Sequence, residues 1–330
     1  MIISRTPFRV SFLGGGTDLP SFWQEEEGAV LSTAIDKYMH ITVNDRFDES
    51  FRLSYSKTEI CKSVDEIEHK IIRTVLKTYE ARAREKTGGR GLEILSMADI
   101  PSGTGLGSSS SFTVSLLHAL KGHLGLFQSA EDLAREASRI EIEDLREPIG
   151  KQDQYAAAYG GLRYIRFLPS GEVSAEPVIC SHDTKQALEA HMLVLYTGVT
   201  RSASGVLAEQ KSNTEKKRET LRTMRDLAFR MKQSLEAGDA IRRSGELLHE
   251  GWNLKKTLAS GISAGQIDDW YDRAMAAGAF GGKILGAGGG GFLMVLCPPD
   301  KQARVCAELS ELRPVKMKFD PFGSRIVFVG

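Results

Sequence analysis

The stretch Pro101-Ser102-Gly103-Thr104-Gly105-Leu106-Gly107-Ser108-Ser109-Ser110 has residue types suited to holding a polyanion. Behind it Phe112, Leu116, Ala119 or Leu120, and Leu124 recur at helical spacing, which predicts a helix beginning inside the serine cluster. A helix start leaves backbone N–H groups unpaired and carries partial positive charge. The glycines let that backbone approach phosphates closely, and the serines can cap the helix or reach a metal ion. A loop that only caps a core helix would have the same composition.

Two carboxylates and one arginine are the next candidates. On a helix predicted from about Ser129 to Leu145, the residues Ala130, Ala134, Ala137 and Glu141 fall within about 40° of one direction. Glu141 therefore points along a small-residue, inward face, whereas Glu143 points away. A buried carboxylate needs a partner, either a bound cation or an internal salt bridge. Asp153 follows the Pro148-Ile149-Gly150 break and opens a short helix through Gln152–Tyr159. Such an acid can serve as a general base or simply complement the helix dipole. Arg9, beside the turn Gly14-Gly15-Gly16-Thr17-Asp18, is either a clamp for a transferred phosphoryl group or a surface charge.

A second glycine run, Gly286-Ala287-Gly288-Gly289-Gly290-Gly291, formally satisfies G-x-G-x-x-G. The apolar segment Phe292–Leu296 follows it and reads as a strand, whereas a dinucleotide fingerprint must open a helix. The poor dehydrogenase reading rests on this run alone. Gly282-Lys283 is followed by Ile284, so no phosphate loop of the G-x-x-x-x-G-K-[ST] type is present.

The elements that must position these residues alternate along the chain. Ile2–Arg5 and Arg9–Leu13 are expected as separate strands, as are Ala29–Ile35 and Met39–Val43, divided at Asp36-Lys37. Phe51–Tyr55 and Leu92–Leu95 are further strands, and 64–86 reads as a charged surface helix. Leu162–Leu168 is followed by a hairpin turn at Ser170-Gly171. Beyond a boundary placed near 170–190, Met192–Tyr196 is a buried strand and 203–278 is mostly helix. A helix at 300–312 and the strand Arg325–Val329 close the chain. The expected domains are 1–180, which would bind nucleotide, and 181–330.

The 330 residues include 43 Lys+Arg and 43 Asp+Glu, so no basic field proposes nucleic acid. Cys61, Cys180, Cys297 and Cys306 form no C-x-x-C pair, which disfavours structural zinc and a disulfide framework. No apolar stretch approaches membrane-spanning length, and the amino terminus lacks a signal-peptide core, so the expected location is cytoplasmic.

Taken together, the segments resemble the GHMP kinases, the superfamily of galactokinase, homoserine kinase, mevalonate kinase and phosphomevalonate kinase. Three motifs stand in the family's order: Thr6-Pro7-Phe8-Arg9-Val10 through Asp18, the Pro101–Ser110 loop, and Lys283–Phe292. Glu141, Pro148, Gly150, Asp153 and Gln154 match the family's acidic segment, including its twelve-residue step from glutamate to aspartate. The resemblance implies an α+β GHMP kinase fold, with an amino-terminal domain like ribosomal-protein S5 domain 2 and a ferredoxin-like carboxy-terminal domain. It implies ATP and Mg²⁺ as cofactors and a small-molecule sugar or sugar phosphate as partner, with no membrane and a homodimer left open.

The resemblance also implies roles. Pro101, Gly103, Gly105, Leu106, Gly107, Ser108, Ser109 and Ser110 would bind nucleotide, Ser109 and Glu141 would ligate Mg²⁺, Asp153 would be the base, and Arg9 would face the transferred phosphate. Gly15, Gly16, Thr17, Asp18, Gly288 and Gly289 would meet the acceptor. Galactokinases carry Glu-His where this chain has Gly15-Gly16, which argues against galactose. Together with Gly150-Lys151-Gln152-Asp153-Gln154-Tyr155 and Thr197-Gly198-Val199-Thr200-Arg201, the sequence looks most like the D-glycero-D-manno-heptose 7-phosphate kinases. Those enzymes phosphorylate the anomeric hydroxyl on the path to heptose for capsule or lipopolysaccharide. Arg201 and Lys37 are the candidate ligands for an acceptor phosphate. A kinase for a free sugar such as fucose, or a non-catalytic sugar and nucleotide sensor, remain the alternatives.

Overall fold

The computed structural model describes residues 1–199, 203–238, 241–263 and 265–330. Two sheets organise them. The larger contains β1 (Ile2–Leu13), β2 (Gly28–Asp45), β3 (Phe51–Ser54), β4 (Thr58–Cys61), β5 (Leu92–Ala98), β6 (Leu162–Phe167) and β7 (Val173–Pro177). The smaller contains β8 (Met192–Tyr196), β9 (Gly281–Ile284), β10 (Phe292–Leu296) and β11 (Arg313–Pro314) in the order β11-β8-β10-β9, all antiparallel. The last strand, β12 (Arg325–Val329), returns to the larger sheet and pairs with β1. It was expected to close the second unit. Its Ile326 instead lies against Gly122 of the first.

Strands β1 and β2 are each continuous where a break was expected. Their ladder shifts register between Pro7 and Phe8, with Asp36 and Lys37 as the extra residues opposite. Pro7 has no N–H for the ladder, so the strands absorb it as a bulge rather than ending there. Residues 318–320 cover this bulge, with the Asp36 N–H donating to the Lys318 carbonyl at 2.9 Å. The far edge of β2 is shared: Gly28–Thr33 pairs with β6, and Met39–Asp45 pairs with β5. Strand β9 leads into the second glycine run and pairs with β10, where the missing side chain of Gly282 leaves room for the buried Met294 and Val295.

The helix Ser108–His123 packs its apolar residues on β1 and β2, as its period requires. The segment expected as one α-helix from Ser129 to Leu145 changes pitch part-way. A Ser129–Asp132 capping box starts the α-helix Ala130–Ser138, and Arg139–Asp144 then forms π-turns closed by Leu145 N–H to the Ile140 carbonyl at 2.9 Å. Two apolar cores lie on the sheets, and they are not divided at residue 180. Leu227, Met231, Leu248, Leu285, Phe292 and Met294 join the core of the larger sheet. The helix Arg218–Ala237 brings Leu227 and Met231 onto β2. Residues from both parts of the chain therefore line the space between the sheets.

Candidate active site

The loop from β5 to the helix Ser108–His123 forms one wall of a cavity of about 530 Å³. Gly107 is the residue before the helix and has a left-handed backbone (φ +77°). A Cβ there would press on the Asp153 carboxylate and the Arg9 side chain, at 3.2 and 3.4 Å. Among the described residues no side chain caps the helix, and Ser108, Ser109 and Ser110 at its start line the cavity. The Leu106 carbonyl accepts the Arg9 N–H at 3.1 Å, which ties the loop to β1.

Arg9 and Asp153 meet in a forked ion pair. Arg9 Nε donates to Asp153 Oδ1 at 2.8 Å and Nη2 to Oδ2 at 2.7 Å, while Nη1 donates to the Gly105 carbonyl at 2.6 Å. Gln152 Nε2 donates to Asp153 Oδ1 at 2.9 Å and is itself held by Ser11, whose hydroxyl donates to Gln152 Oε1 at 2.8 Å. The helix Gln152–Tyr159 thus presents its first-turn acid to β1 and to the glycine loop.

Glu141 has no such partner. Its carboxylate is 1% exposed and accepts from the Ser109 hydroxyl and from Gln154 Nε2, both at 2.7 Å. Among the described residues no Lys, Arg or His pairs with it, and burial raises its pKa above the usual carboxylate value. Asp18 lies in the same cavity and accepts the Gly16 N–H at 2.8 Å; its pKa is raised too, chiefly by burial.

The second glycine run closes the cavity from the other sheet. Gly105 and Gly286 are packed so tightly that a Cβ on Gly286 would run into Gly105, and one on Gly105 into the Leu285 carbonyl. Two lysines stand behind this junction. Lys283 on β9 donates to the Ser11 and Phe12 carbonyls at 2.9 and 3.0 Å. Lys255, at the end of the helix Ile241–Lys255, donates to the Gly286 carbonyl. Burial holds the pKa of both below the ordinary lysine value, that of Lys255 at about 8.

The sequence profile described as "GHMP kinases N terminal domain" matches residues 70–161, and that described as "GHMP kinases C terminal" matches residues 231–314, together more than half of the chain. The chain belongs to the GHMP kinases. It is a phosphotransferase with an alcohol group as acceptor and ATP as donor. It is 29% identical over 314 residues to a D-glycero-alpha-D-manno-heptose 7-phosphate kinase of Campylobacter jejuni, with 91% of each chain covered. It is 27% identical to a galactokinase of Thermococcus kodakarensis, with 93% of this chain and 92% of the relative covered. The fold matches the crystal structure of a D-glycero-D-manno-heptose 1-phosphate kinase from Bacteroides thetaiotaomicron, with a TM-score of 0.81, 24% identity and both chains fully covered. Among the described residues, no helix is long and apolar enough to cross a membrane.

In this GHMP kinase the cavity gathers Arg9, Gly15, Gly16, Asp18, Gly103, Gly105, Gly107, Ser108, Ser109, Ser110, Glu141, Asp153 and Gly288. Other expected members do not line it. Lys37 is turned out by the β2 bulge, and its ammonium bonds the Asp36 carboxylate at 3.0 Å and the Asp36 carbonyl at 3.1 Å. Thr17 is fully buried and its hydroxyl ties Gly14 to Ala29. Leu106 is core, Pro101 is exposed, and the Gly289 N–H is spent on the Ile262 carbonyl. Arg201 lies outside the described residues.

His69, Gln210, Lys255 and Lys283 are among the lining residues that had no role assigned from sequence. His69 caps the helix Lys70–Thr87 and stacks on Phe112. Gln210 is 3% exposed and its amide packs against Gly16. Lys255 did leave a signal, because it continues the apolar stripe of Leu248, Gly251 and Trp252. A lysine at a core position invites a question about its partner.

Proposed function

We propose that this chain transfers the terminal phosphoryl group of ATP to the anomeric hydroxyl of D-glycero-D-manno-heptose 7-phosphate, giving the 1,7-bisphosphate. The forked Arg9–Asp153 pair at the start of the helix Ser108–His123 carries the reading. It sets an acid beside a ready-made anion site, as phosphoryl transfer to a hydroxyl requires. Asp153 takes the hydroxyl proton through a lone pair that the Arg9 fork leaves free. Arg9 offers charge to the group in transit, and the N–H groups and serines at the helix start hold the donor phosphates. His69, which lines the cavity and is backed by the stacked Phe112, would give the donor's base an aromatic wall.

The residues fit Mg²⁺. Glu141 is a buried carboxylate with no cationic side chain beside it among the described residues, hydrogen-bonded to the Ser109 hydroxyl, and hard oxygen donors of this kind suit a magnesium ion. When bound, the ion neutralises phosphate charge. Glu141 and Ser109 would hold it, and Gln154 orients Glu141 through its amide.

Asp18 and Gln210, with Gly15 and Gly16 as floor, would receive the acceptor's hydroxyls. The likeness to the Campylobacter heptose 7-phosphate kinase along 91% of both chains supports the choice of acceptor. Gly15-Gly16, where galactokinases carry Glu-His, supports it too. ADP release with Mg²⁺-ATP against heptose 7-phosphate, mannose 6-phosphate, mannose, galactose and fucose tests the reading, with Asp153→Asn as the blank. Turnover confined to phosphorylated sugars is expected. Turnover on a free sugar alone would discard the heptose phosphate, and none at all, despite ATP binding, would point to a sensor.

A further inference from the structure

Among the described residues, Lys255 is the buried cavity lysine with the most hydrogen-bonding capacity to spare. The Arg9 fork is spent on Asp153 and Gly105, and Lys283 is held by two carbonyls. Lys255 is 6% exposed, and among the described residues its ammonium has a single acceptor, the Gly286 carbonyl. An ammonium has three donors, and burying it with two unmatched is unfavourable unless another acceptor arrives. Gly286 abuts Gly105, whose carbonyl accepts from Arg9. Lys255, at the end of its helix, and Arg9, on β1, therefore approach one junction. The charged groups facing Lys255 are Arg9 on β1, Asp18 in the turn after it, Asp153 on the helix Gln152–Tyr159 and Lys283 on β9.

We propose that Lys255 is a further catalytic residue, whose ammonium binds the oxygens of the phosphoryl group while it passes from donor to acceptor. The inference rests on the kinase reading above. In that step the acceptor hydroxyl oxygen forms a bond to the terminal phosphorus as the bond from that phosphorus to the ADP oxygen breaks. The hydroxyl proton goes to Asp153, and nothing is oxidised or reduced. Charge on the transferring oxygens faces Arg9 and Lys255 together, and a compact point charge in a dry site stabilises it strongly. Burial, reinforced by the Arg9 charge, holds the Lys255 pKa at about 8, so the contribution fades as pH rises past that value.

Lys255→Met and Lys255→Arg test this by calorimetric titration of Mg-ADP with and without aluminium fluoride, beside turnover. Methionine keeps the chain length and removes a buried charge, so the fold should hold, and a melting curve checks it. The expected result is Mg-ADP affinity unchanged within about twofold, a loss of about 10²-fold in affinity for ADP–aluminium fluoride, and a similar fall in kcat with acceptor KM unchanged. Lys255→Arg should recover much of kcat and move its alkaline limb from near pH 8 upward. A raised acceptor KM with kcat intact, or equal losses with and without fluoride, would overturn the proposal. If Lys255→Met melts early, the alkaline limb of Lys255→Arg decides alone, and an unmoved limb overturns it. A parent protein that turns over no sugar refutes the kinase reading, whereas the fluoride contrast still reports on Lys255.

Discussion

Asp153 and Glu141 are carboxylates twelve residues apart in one cavity, and they are treated oppositely. Asp153 carries its counter-charge within the chain, in two hydrogen bonds from Arg9. Among the described residues Glu141 is met by neutral side chains, Ser109 and Gln154 among them, although it is the more deeply buried. A buried charge without a counter-charge costs several kcal/mol. The first acid is neutralised within the fold, and the second is the one that a cation would complete under the proposed function.

Removing the first acid should cost the most. Asp153→Asn is expected to lower turnover by roughly 10²–10⁴-fold with ATP affinity near normal, as single-turnover kinetics and calorimetry would show. Unchanged turnover would remove Asp153 from the chemistry. Glu141→Gln should instead raise the Mg²⁺ concentration needed for half-maximal activity by roughly tenfold or more, with acceptor KM little changed. The reverse pattern would assign Glu141 to the acceptor.

Stability should separate the two acids in the opposite sense. Arg9→Met strands the Asp153 carboxylate and is expected to destabilise by roughly 2–4 kcal/mol in urea unfolding. Glu141→Gln should raise the melting temperature of metal-free protein. The sign follows from linkage: burial raises the Glu141 pKa in the folded state, so stability is lost as pH climbs from the ordinary carboxylate value through the raised one. Glutamine has no such loss, so the variant's advantage should grow with pH over that interval and be absent below it. Melting curves at pH 4 to 8 would show this, and a parallel offset at every pH would contradict it. The smallest effect belongs to Lys37→Ala. Its ammonium is held by Asp36 outside the cavity, and acceptor KM should stay within about twofold.

Much of the site was legible because its signals are local. Gly107 and the serines declare a helix start within a few residues, and Ala130, Ala134 and Ala137 aim Glu141 inward. The α-helix preserves that phase as far as Ser138, and the π-turn beyond it still leaves Glu141 buried. The Asp36-Lys37 break was misread because local composition looks alike at a strand end and at a bulge. Only the partner strand and residues 318–320 reveal that the ladder resumes. His69 and Gln210 left no comparable trace, since each is polar at a position where an exposed helix residue looks the same.

The sequence by itself determined the family, the glycine-serine loop that opens a helix, the inward glutamate and the helix-start aspartate. Helical phase and glycine backbone freedom act over a few residues and are written in order along the chain. Tertiary structure alone decided that Arg9 spends its fork on Asp153, that Glu141 meets no cationic side chain among the described residues, and that Lys255 reaches the junction of the glycine loops. Those outcomes depend on packing between residues 31 to 144 positions apart, beyond the reach of a helical turn or a loop, where burial sets which charges must find partners.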